Sequence, residues 1–342
     1  MVNESALNKY RESFAPFLHL KISKAAEEIK KIHDLSDDYI RRIVWALRKE
    51  TPTELKNARI QAATELIKEG RESEAIRILQ GLHKKDYQPT EKPPGYYMVI
   101  GCPHFPWNNK RQWSMNLEII KDLRDQLQGV ILAGDVMDMH SISRHAKGKI
   151  TMPGWTLSQE YSQTNTQLDR LDKAIGNREL IKEFLYGNHE MWWAENQKEV
   201  QAVKIGEGAG VDSPKKALRL TERGYNVQTN YKTAFVTLGD LEIIHGTYVN
   251  IHAAHKHLQV MKRSVMFFHT HRIGSYHEGD LGSYNCGFSG DKEEPVFGYM
   301  DRNQKSNWAN GIAMVYLDQN NISHVQQLKW RDSYFFNGKL YA

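Results

Sequence analysis

The sequence predicts an α/β protein, a β-sandwich flanked by helices, with a small all-α segment in front of it. Three observations support this prediction. Between residues 96 and 187, short apolar runs alternate with helical patterns, which is typical of a covered and mainly parallel sheet. From residue 234 onward, short strand-like runs with tight turns predict a second sheet packed on the first. Before residue 88, apolar residues recur at helical spacing.

Residues 1–87 are predicted to form a helical N-terminal domain. One helix covers residues 22–32, and Ser36 suits the N-cap of a second helix. The second helix carries Arg41 and Arg42, so the pair resembles a helix-turn-helix unit that docks on DNA or RNA. Dimerisation or packing is the alternative, because the charges of this segment are roughly balanced.

A proline-rich stretch, residues 88–95, predicts a linker to a second domain, residues 96–342. The strands predicted in the second domain end in glycine or in a polar residue, and helices separate the first three. In chain order we expect a strand at 97–100, a helix at 113–127, a strand at 130–133, a helix at 157–175 and strands at 183–186, 234–238, 241–244, 264–268, 312–317 and 322–328.

Composition sets the broad class of the protein. The 342 residues are 40% hydrophobic and 25% charged, as in an ordinary globular protein, and the net charge of +5 permits an anionic substrate. The two cysteines, Cys102 and Cys286, argue against a disulfide framework and predict a reducing, cytoplasmic compartment. We expect neither a signal peptide nor a membrane span, and the oligomeric state stays open.

Five fragments place His, Asp, Asn or Cys immediately after predicted strands. They are Cys102-Pro103-His104, Gly134-Asp135-Val136-Met137-Asp138, Gly187-Asn188-His189-Glu190, His245-Gly246 and Phe268-His269-Thr270-His271. Side chains at strand ends meet at one edge of a sheet, where so many imidazoles and carboxylates would repel one another or stay unsatisfied. A divalent metal resolves this conflict, and two ions are needed to use all the ligands.

In this order the fragments resemble the calcineurin-like metallophosphoesterase superfamily. Its pattern is Asp-x-His, Gly-Asp-x-x-Asp, Gly-Asn-His-Asp/Glu, a lone His and Gly-His-x-His, and here it spans roughly residues 97–271. Taken singly, each fragment has a simpler interpretation: Asp135 as a helix cap, Gly187–Glu190 as a turn before a helix, or His245 as a satisfied buried histidine. None of these interpretations explains the joint order.

The resemblance implies a two-metal site and a phosphate ester as substrate. One ion would be held by Cys102, His104 and His271, the other by Asn188, His245 and His269, with Asp135 bridging both. A hydroxide shared by the two ions, which would be manganese, zinc, iron or nickel, would attack phosphorus. The resemblance gives His189 the role of protonating the leaving group, while Asp138 would accept a hydrogen bond from the far nitrogen of His189.

Two positions depart from the pattern of the superfamily. Cys102 replaces the first acid, and Phe268 replaces the glycine before the last motif. A thiolate suits zinc or iron(II) better than manganese, so Cys102 is either a soft ligand or a small buried hydrophobic residue. Phe268 is a smaller concern, because only the backbone path is constrained there.

Other histidines and one arginine have weaker signals. His140, Arg144 and His145 follow the second motif and either line the substrate pocket or belong to a solvated loop. His252, His255 and His257 do not share one helix face, so we expect surface histidines there.

The leading functional hypothesis is a phosphodiesterase or nuclease-like hydrolase, because the helical segment favours a nucleic acid substrate. Sequences of this layout resemble phage-borne or mobile-element phosphoesterases. A phosphomonoesterase or protein phosphatase is the alternative, although Met139-His140 stands where those relatives carry Arg-Gly. The third hypothesis is a DNA-binding module whose metal site has degenerated at Cys102.

Overall fold

The computed structural model describes residues 92–144, 155–207, 211–298, 300 and 303–342. The predicted N-terminal domain, the first half of the predicted linker and His145 lie outside these residues. The division of the chain into two domains with a linker therefore stays a prediction.

Strands and helices alternate through the first half of the described chain, and strands dominate the second half. The strands are β1 (Gly95–Ile100), β2 (Leu127–Ala133), β3 (Ile181–Leu185), β4 (Tyr225–Gln228), β5 (Val236–Leu238), β6 (Leu241–Ile243), β7 (Ser264–Phe267), β8 (Ile273–Glu278), β9 (Leu281–Cys286), β10 (Gly311–Leu317), β11 (Ser323–Lys329), β12 (Tyr334–Phe336) and β13 (Lys339–Tyr341). The α-helices are α1 (Lys110–Leu123), α2 (Leu157–Ile175), α3 (Asn188–Glu195), α4 (Gln197–Glu207), α5 (Pro214–Ala217) and α6 (Ala253–Met261).

The strands form two large sheets and one small hairpin. The first sheet has the order β11-β10-β1-β2-β3-β4, with β1 to β4 parallel and β10 and β11 antiparallel to their neighbours. The second sheet has the order β5-β6-β7-β9-β8, and β12 pairs with β13. The predicted turns at 239–240 and 319–321 do join antiparallel neighbours, β5 with β6 and β10 with β11.

Alternation along β1 shows how the layers pack. Tyr97 and Val99 lie in a buried cluster with residues of the second sheet, whereas Met98 and Ile100 lie in a cluster with residues of α1 and α2. Successive side chains of a strand point to opposite faces, so β1 is covered by a sheet on one side and by helices on the other. Helix α6 packs against β7, β8 and β9 of the second sheet. The predicted α/β sandwich flanked by helices is thereby confirmed.

The sequence located helix α2 well and helix α1 less well. Thr156 and Gln159 form a capping box at the start of α2, and this helix covers the predicted residues 157–175. Helix α1 begins three residues earlier than predicted because the Asn109 side chain accepts the backbone N–H of Gln112. It ends at Leu123, where the predicted helix extended to residue 127.

No pattern in the sequence predicts β4 or the two hairpins β8-β9 and β12-β13. Apolar and polar residues alternate only weakly along β8, which is mostly exposed. β12 and β13 have three residues each, which is too short to show a period of apolar residues. Within the described residues, no helix has the length and apolar character needed to cross a bilayer.

The prediction of surface histidines after His245 is wrong for His257. This side chain is buried, stacks on Phe267 with ring centroids 3.9 Å apart, and has both nitrogens engaged. Nδ1 donates to the carbonyl of Ala253 at 2.8 Å, and Nε2 accepts the backbone N–H of Thr247 at 3.1 Å. Burial lowers the pKa of His257 to about 4, so the neutral ring is the native form.

We expect His257 to make folding sensitive to acid. Because its pKa is lower in the folded chain than the unfolded value of about 6.5, stability falls as the pH drops from about 6.5 toward 4. The difference corresponds to about 3 kcal/mol when the whole interval has been crossed. Protonation of Nε2 would also remove the acceptor for Thr247.

Urea unfolding of the full chain and of His257→Gln at pH 7 and pH 4.5 measures this contribution. The wild type should lose more stability than the variant over this range, because glutamine does not titrate. Equal losses in both proteins would contradict the prediction.

Candidate metal centre

The five sequence fragments meet at the carboxyl ends of five neighbouring strands. β1 leads to Cys102 and His104, β2 to Asp135, β3 to Asn188, and β6 and β7 lead to the remaining three histidines of the predicted ligand set, His245, His269 and His271. β1, β2 and β3 belong to the first sheet, and β6 and β7 to the second. The site therefore lies at the carboxyl ends of these strands, with side chains contributed by both sheets.

One group of donor atoms surrounds Nε2 of His245. Oδ1 of Asn188 lies 3.1 Å from it, Nδ1 of His269 lies 3.2 Å from it, and Oδ2 of Asp135 lies 3.1 Å from it. Ligands placed about 2.0–2.2 Å from one ion are themselves about 3.0–3.5 Å apart. Each of these three donors therefore lies from Nε2 of His245 at the spacing of two ligands to a single metal ion.

A second group of donor atoms surrounds His104. Nε2 of His104 lies 3.1 Å from Nε2 of His271 and 3.9 Å from Oδ2 of Asp135. Sγ of Cys102 lies within 4.8 Å of the donor nitrogens of both histidines. The same carboxylate of Asp135 thus faces both groups, as a bridging ligand must.

Hydrogen bonds fix which nitrogen of each ring faces the site. Nδ1 of His245 lies 3.0 Å from the carbonyl of Ala133, which can only accept, so this nitrogen carries the proton. Nδ1 of His104 lies 3.0 Å from Oδ2 of Asp138 and donates to that carboxylate. In both rings the lone pair of Nε2 is therefore left for a metal, and a second residue orients the ligand.

The pKa values of the other two ligand histidines favour the metal-binding form. Burial and the nearby His245 lower the pKa of His269 to about 3, and burial with the nearby His104 holds the pKa of His271 well below its usual range. Burial would raise the pKa of Asp135, but His245 and His189 hold it well below its usual range. Neutral imidazoles at His269 and His271, beside an ionised carboxylate, are donors of the kind that a divalent cation requires.

The backbone of the site is strained at the ligands themselves. Left-handed φ angles between 49° and 59° occur at five of the seven predicted ligands, which are Cys102, His104, Asp135, His269 and His271. For a residue with a side chain this conformation costs about 1–3 kcal/mol and persists only where the surroundings impose it. Such strain clusters at functional sites, so its concentration here supports a function for these residues.

Two motif glycines give the side chains room. A Cβ atom on Gly187 would lie 2.1 Å from Oδ1 of Asp135, and one on Gly134 would lie 2.4 Å from Nδ1 of His245. Gly134 also has a φ of +87°. Any larger residue at either position would displace a predicted ligand.

Glu190 stabilises the loops that carry the ligands, a role that the motif alone does not predict. Its buried carboxylate accepts the backbone N–H groups of Asp135 at 3.0 Å, Met137 at 2.9 Å and Gly187 at 2.8 Å. Three charge-assisted hydrogen bonds from two loops hold the second and third motifs together. The glutamate belongs to the third motif, but its hydrogen bonds to Asp135 and Met137 depend on tertiary contacts.

The contact expected between His189 and Asp138 differs in detail from the prediction. Nδ1 of His189 lies 2.5 Å from the backbone carbonyl of Asp138 and 3.9 Å from its carboxylate, which instead accepts from His104. Two imidazoles compete for one carboxylate, and the backbone carbonyl of the same residue satisfies the second ring. The proton of His189 is still fixed on Nδ1, so Nε2 faces the site, 3.9 Å from Oδ2 of Asp135.

Cys102 is fully buried, and its Sγ accepts the backbone N–H of His269 at 3.3 Å. Burial raises the pKa of its thiol, and the neighbouring Asp135 raises it further. Phe268 packs so closely on Gly101 that a Cβ there would lie 2.1 Å from the ring. The two departures from the superfamily pattern therefore lie side by side.

Of the residues after the second motif, His140 lies beside the site. Its Nδ1 is 4.0 Å from Oδ1 of Asp138. Arg144 is engaged elsewhere: its guanidinium donates to the carbonyl of Glu195 at 2.9 Å and lies 3.7 Å from Oε2 of Glu199.

No protein-family model matches the chain, and no curated protein matches it. Among solved structures, zinc-bound Vps29 of Entamoeba histolytica is 14% identical with a TM-score of 0.35, covering 72% of this chain and 95% of that chain. Vacuolar protein sorting 29 of Cryptosporidium parvum is 10% identical with a TM-score of 0.37, covering 72% and 94%. A protein of Streptococcus pneumoniae described as a predicted phosphoesterase is 14% identical with a TM-score of 0.30, covering 72% and 96%.

The motifs occur in the expected order at the ends of the expected strands, and their donor atoms converge. This arrangement is the one that the predicted resemblance to the calcineurin-like metallophosphoesterase superfamily implies.

Proposed function

We propose that this protein is a binuclear metal-dependent phosphoesterase that hydrolyses phosphodiester bonds. The observation that carries the proposal is the convergence of Asn188, Asp135 and His269 on Nε2 of His245, each at 3.1–3.2 Å. One ion would be held by this group and a second by Cys102, His104 and His271, with Asp135 between them. Divalent ions bound there would make a coordinated water acidic enough to attack phosphorus and would neutralise the phosphate oxygens.

The residues around the ligands supply orientation and a proton. Asp135 is held by two interactions: its Oδ1 accepts the backbone N–H of His189 at 3.0 Å, while its Oδ2 faces His245. His189 keeps its proton on Nδ1 through the carbonyl of Asp138, so Nε2 is the atom that would exchange a proton with the leaving oxygen. Burial would lower the pKa of His189, but Asp135 and Asp138 raise it, which favours the protonated acid.

The residues that follow the second motif favour a diester over a monoester. A phosphate monoester carries close to two negative charges at neutral pH and is commonly bound by arginine in a bidentate manner. Here Met139-His140 follows the second motif, and Arg144 is occupied by Glu195 and Glu199. A diester has one negative charge, which imidazoles and metal ions can balance without a guanidinium.

Nucleic acid or a nucleotide is the substrate class that we propose, and the predicted helix-turn-helix unit is its support. That unit lies outside the described residues, so DNA or RNA binding, a phage origin and a cytoplasmic location stay predictions. The identity of the ions, among manganese, zinc, iron and nickel, is likewise a proposal.

Hydrolysis of bis-p-nitrophenyl phosphate and p-nitrophenyl phosphate, with added manganese, zinc, iron(II), nickel or no metal, tests the proposed function. We expect metal-dependent turnover with the diester hydrolysed faster than the monoester. Preference for the monoester would support the phosphomonoesterase hypothesis instead. If elemental analysis shows that the protein is loaded with metal and it is still inactive with every metal, the result would support the third hypothesis, a DNA-binding module.

A further inference from the structure

A buried carboxylate outside the sequence motifs contacts the loop that follows the second motif. Glu160 lies in the first turn of α2 and is completely buried. Its two oxygens accept consecutive backbone N–H groups, that of His140 at 3.0 Å and that of Ser141 at 2.9 Å. A buried carboxylate is costly unless hydrogen bonds compensate it, and here both compensating bonds come from one turn of the loop.

The turn held by Glu160 brings a third imidazole to Asp138. Residues His140–Ile142 form a short 3₁₀-helix that begins after Met139, which has a left-handed φ of 55°. Nδ1 of His140 lies 4.0 Å from Oδ1 of Asp138. Since His104 and His189 also lie within 4 Å of this carboxylate, Asp138 is surrounded by three histidine rings.

Exposure divides the three rings into two kinds. The His104 side chain is 1% exposed, as suits a ligand, whereas those of His140 and His189 are 13% and 12% exposed. A histidine ring that contacts substrate must be partly exposed to solvent while most of its surface is buried against the protein. His140 meets this condition as well as His189 does, yet neither the metal ligation nor the leaving-group step uses it.

We propose that His140 contacts the phosphate group of the substrate and that Glu160 is the positioning residue that holds His140 in place. The proposal deepens the proposed function and rests on it. An imidazole can donate a hydrogen bond to a phosphate oxygen. The two backbone hydrogen bonds to Glu160 fix the position of the main chain from which the His140 ring extends. Glu160 itself touches only the loop, so it acts through His140.

The chain contains a matched control for Glu160. Glu207, at the end of α4, likewise accepts two consecutive backbone N–H groups, those of Leu157 at 2.9 Å and Ser158 at 2.8 Å. Those two residues begin α2 and do not belong to the loop that carries Asp138. Removing the charge of Glu207 therefore tests what the loss of such a carboxylate does to folding alone.

The experiment compares Glu160→Gln, His140→Ala, the double variant and Glu207→Gln in the full chain. Steady-state hydrolysis of bis-p-nitrophenyl phosphate gives kcat and KM, calorimetry gives the affinity for inorganic phosphate, and elemental analysis gives metal content. We expect Glu160→Gln and His140→Ala each to lower kcat/KM by about 10- to 100-fold and to weaken phosphate binding, with metal content unchanged. The double variant should be no worse than His140→Ala, and Glu207→Gln should stay within about twofold of wild type.

Several outcomes would overturn the proposal. Glu160→Gln with a lower Tm but wild-type kinetics and phosphate affinity would make Glu160 a purely structural residue. Losses that multiply in the double variant would show that the two residues act independently. If Glu160→Gln does not fold, unchanged phosphate affinity and kinetics in His140→Ala would refute the substrate contact.

The proposed function fails in a distinguishable way. Wild-type protein that loads metal but hydrolyses neither ester would refute the phosphoesterase. Phosphate affinity would then still decide whether His140 and Glu160 form an anion site.

Discussion

Replacing His189 with alanine is expected to lower turnover of a phosphodiester by about 10²- to 10⁴-fold while leaving both metal ions bound. Nε2 of His189 faces the site, and the ring is fixed by the carbonyl of Asp138 and by Trp192, whose ring centroid lies 4.0 Å away. Because the ligand donors are supplied by other residues, the variant should still load metal. Activity and elemental analysis of the same preparation measure both effects.

The leaving group separates proton donation from simple phosphate binding. A p-nitrophenolate departs readily without a proton, whereas the alkoxide of a dinucleotide must be protonated as it leaves. The loss in His189→Ala should therefore be larger for a dinucleotide than for bis-p-nitrophenyl phosphate. Equal losses for the two substrates would contradict the role of acid.

Two comparisons make this prediction specific. His324, which is 61% exposed and pairs with Asp318, offers a control, and His324→Ala should change neither turnover nor metal content. The donor atoms of His189, His104 and Asp135 also lie within 4.8 Å of one another. If His189→Ala loses an ion, His189 is a ligand and the assignment of the acid is wrong.

Replacing Cys102 with serine is expected to lower the metal content from about two ions to about one ion per chain and to remove most of the activity. The thiol lies beside His104 and His271 at the position where the superfamily carries an aspartate, and a thiolate binds zinc, iron(II) and cobalt strongly. Cobalt-substituted wild type should show the near-ultraviolet charge-transfer band of a cobalt–thiolate bond. This band should disappear in Cys102→Ser, which tests ligation without reference to turnover.

Cys286 provides the matched control, because it is also a completely buried thiol within the same apolar cluster. Cys286→Ser should keep the band and both ions. Cys102→Asp should keep both ions but shift the preferred metal from zinc toward manganese, since carboxylate is the harder ligand. Unchanged metal content and spectra in both Cys102 variants would show that this thiol is only a buried hydrophobic residue.

Much of the fold follows from local patterns in the sequence. The run 130–133 lies within β2, the capping residues Thr156 and Gln159 begin α2, and the turn at 239–240 joins β5 to β6. Each of these features depends on neighbours in sequence, either through alternation of apolar residues or through bonds between nearby residues. β8, by contrast, is mostly exposed and has no such pattern, so only its pairing with β9 makes it a strand.

The types of donor atom at the site could also be predicted from the sequence, because the order of the motifs identifies the residues that carry them. Tertiary structure decided how those donors are shared. The carboxylate of Asp138 accepts from His104, while His189 takes the backbone carbonyl, and Glu190 ties two loops through three N–H groups. Such assignments depend on distances between residues far apart in the chain, which a motif does not contain.

The sequence by itself determined that the chain is an α/β sandwich whose strand ends carry side chains of the types that can bind metal. Only the tertiary structure brought Glu160 onto the loop of His140, buried His257, and placed the Cys102 thiol beside two imidazoles. The reason is physical: the period of apolar residues encodes which faces are buried, whereas the partner of a buried polar group is chosen by packing across the whole core.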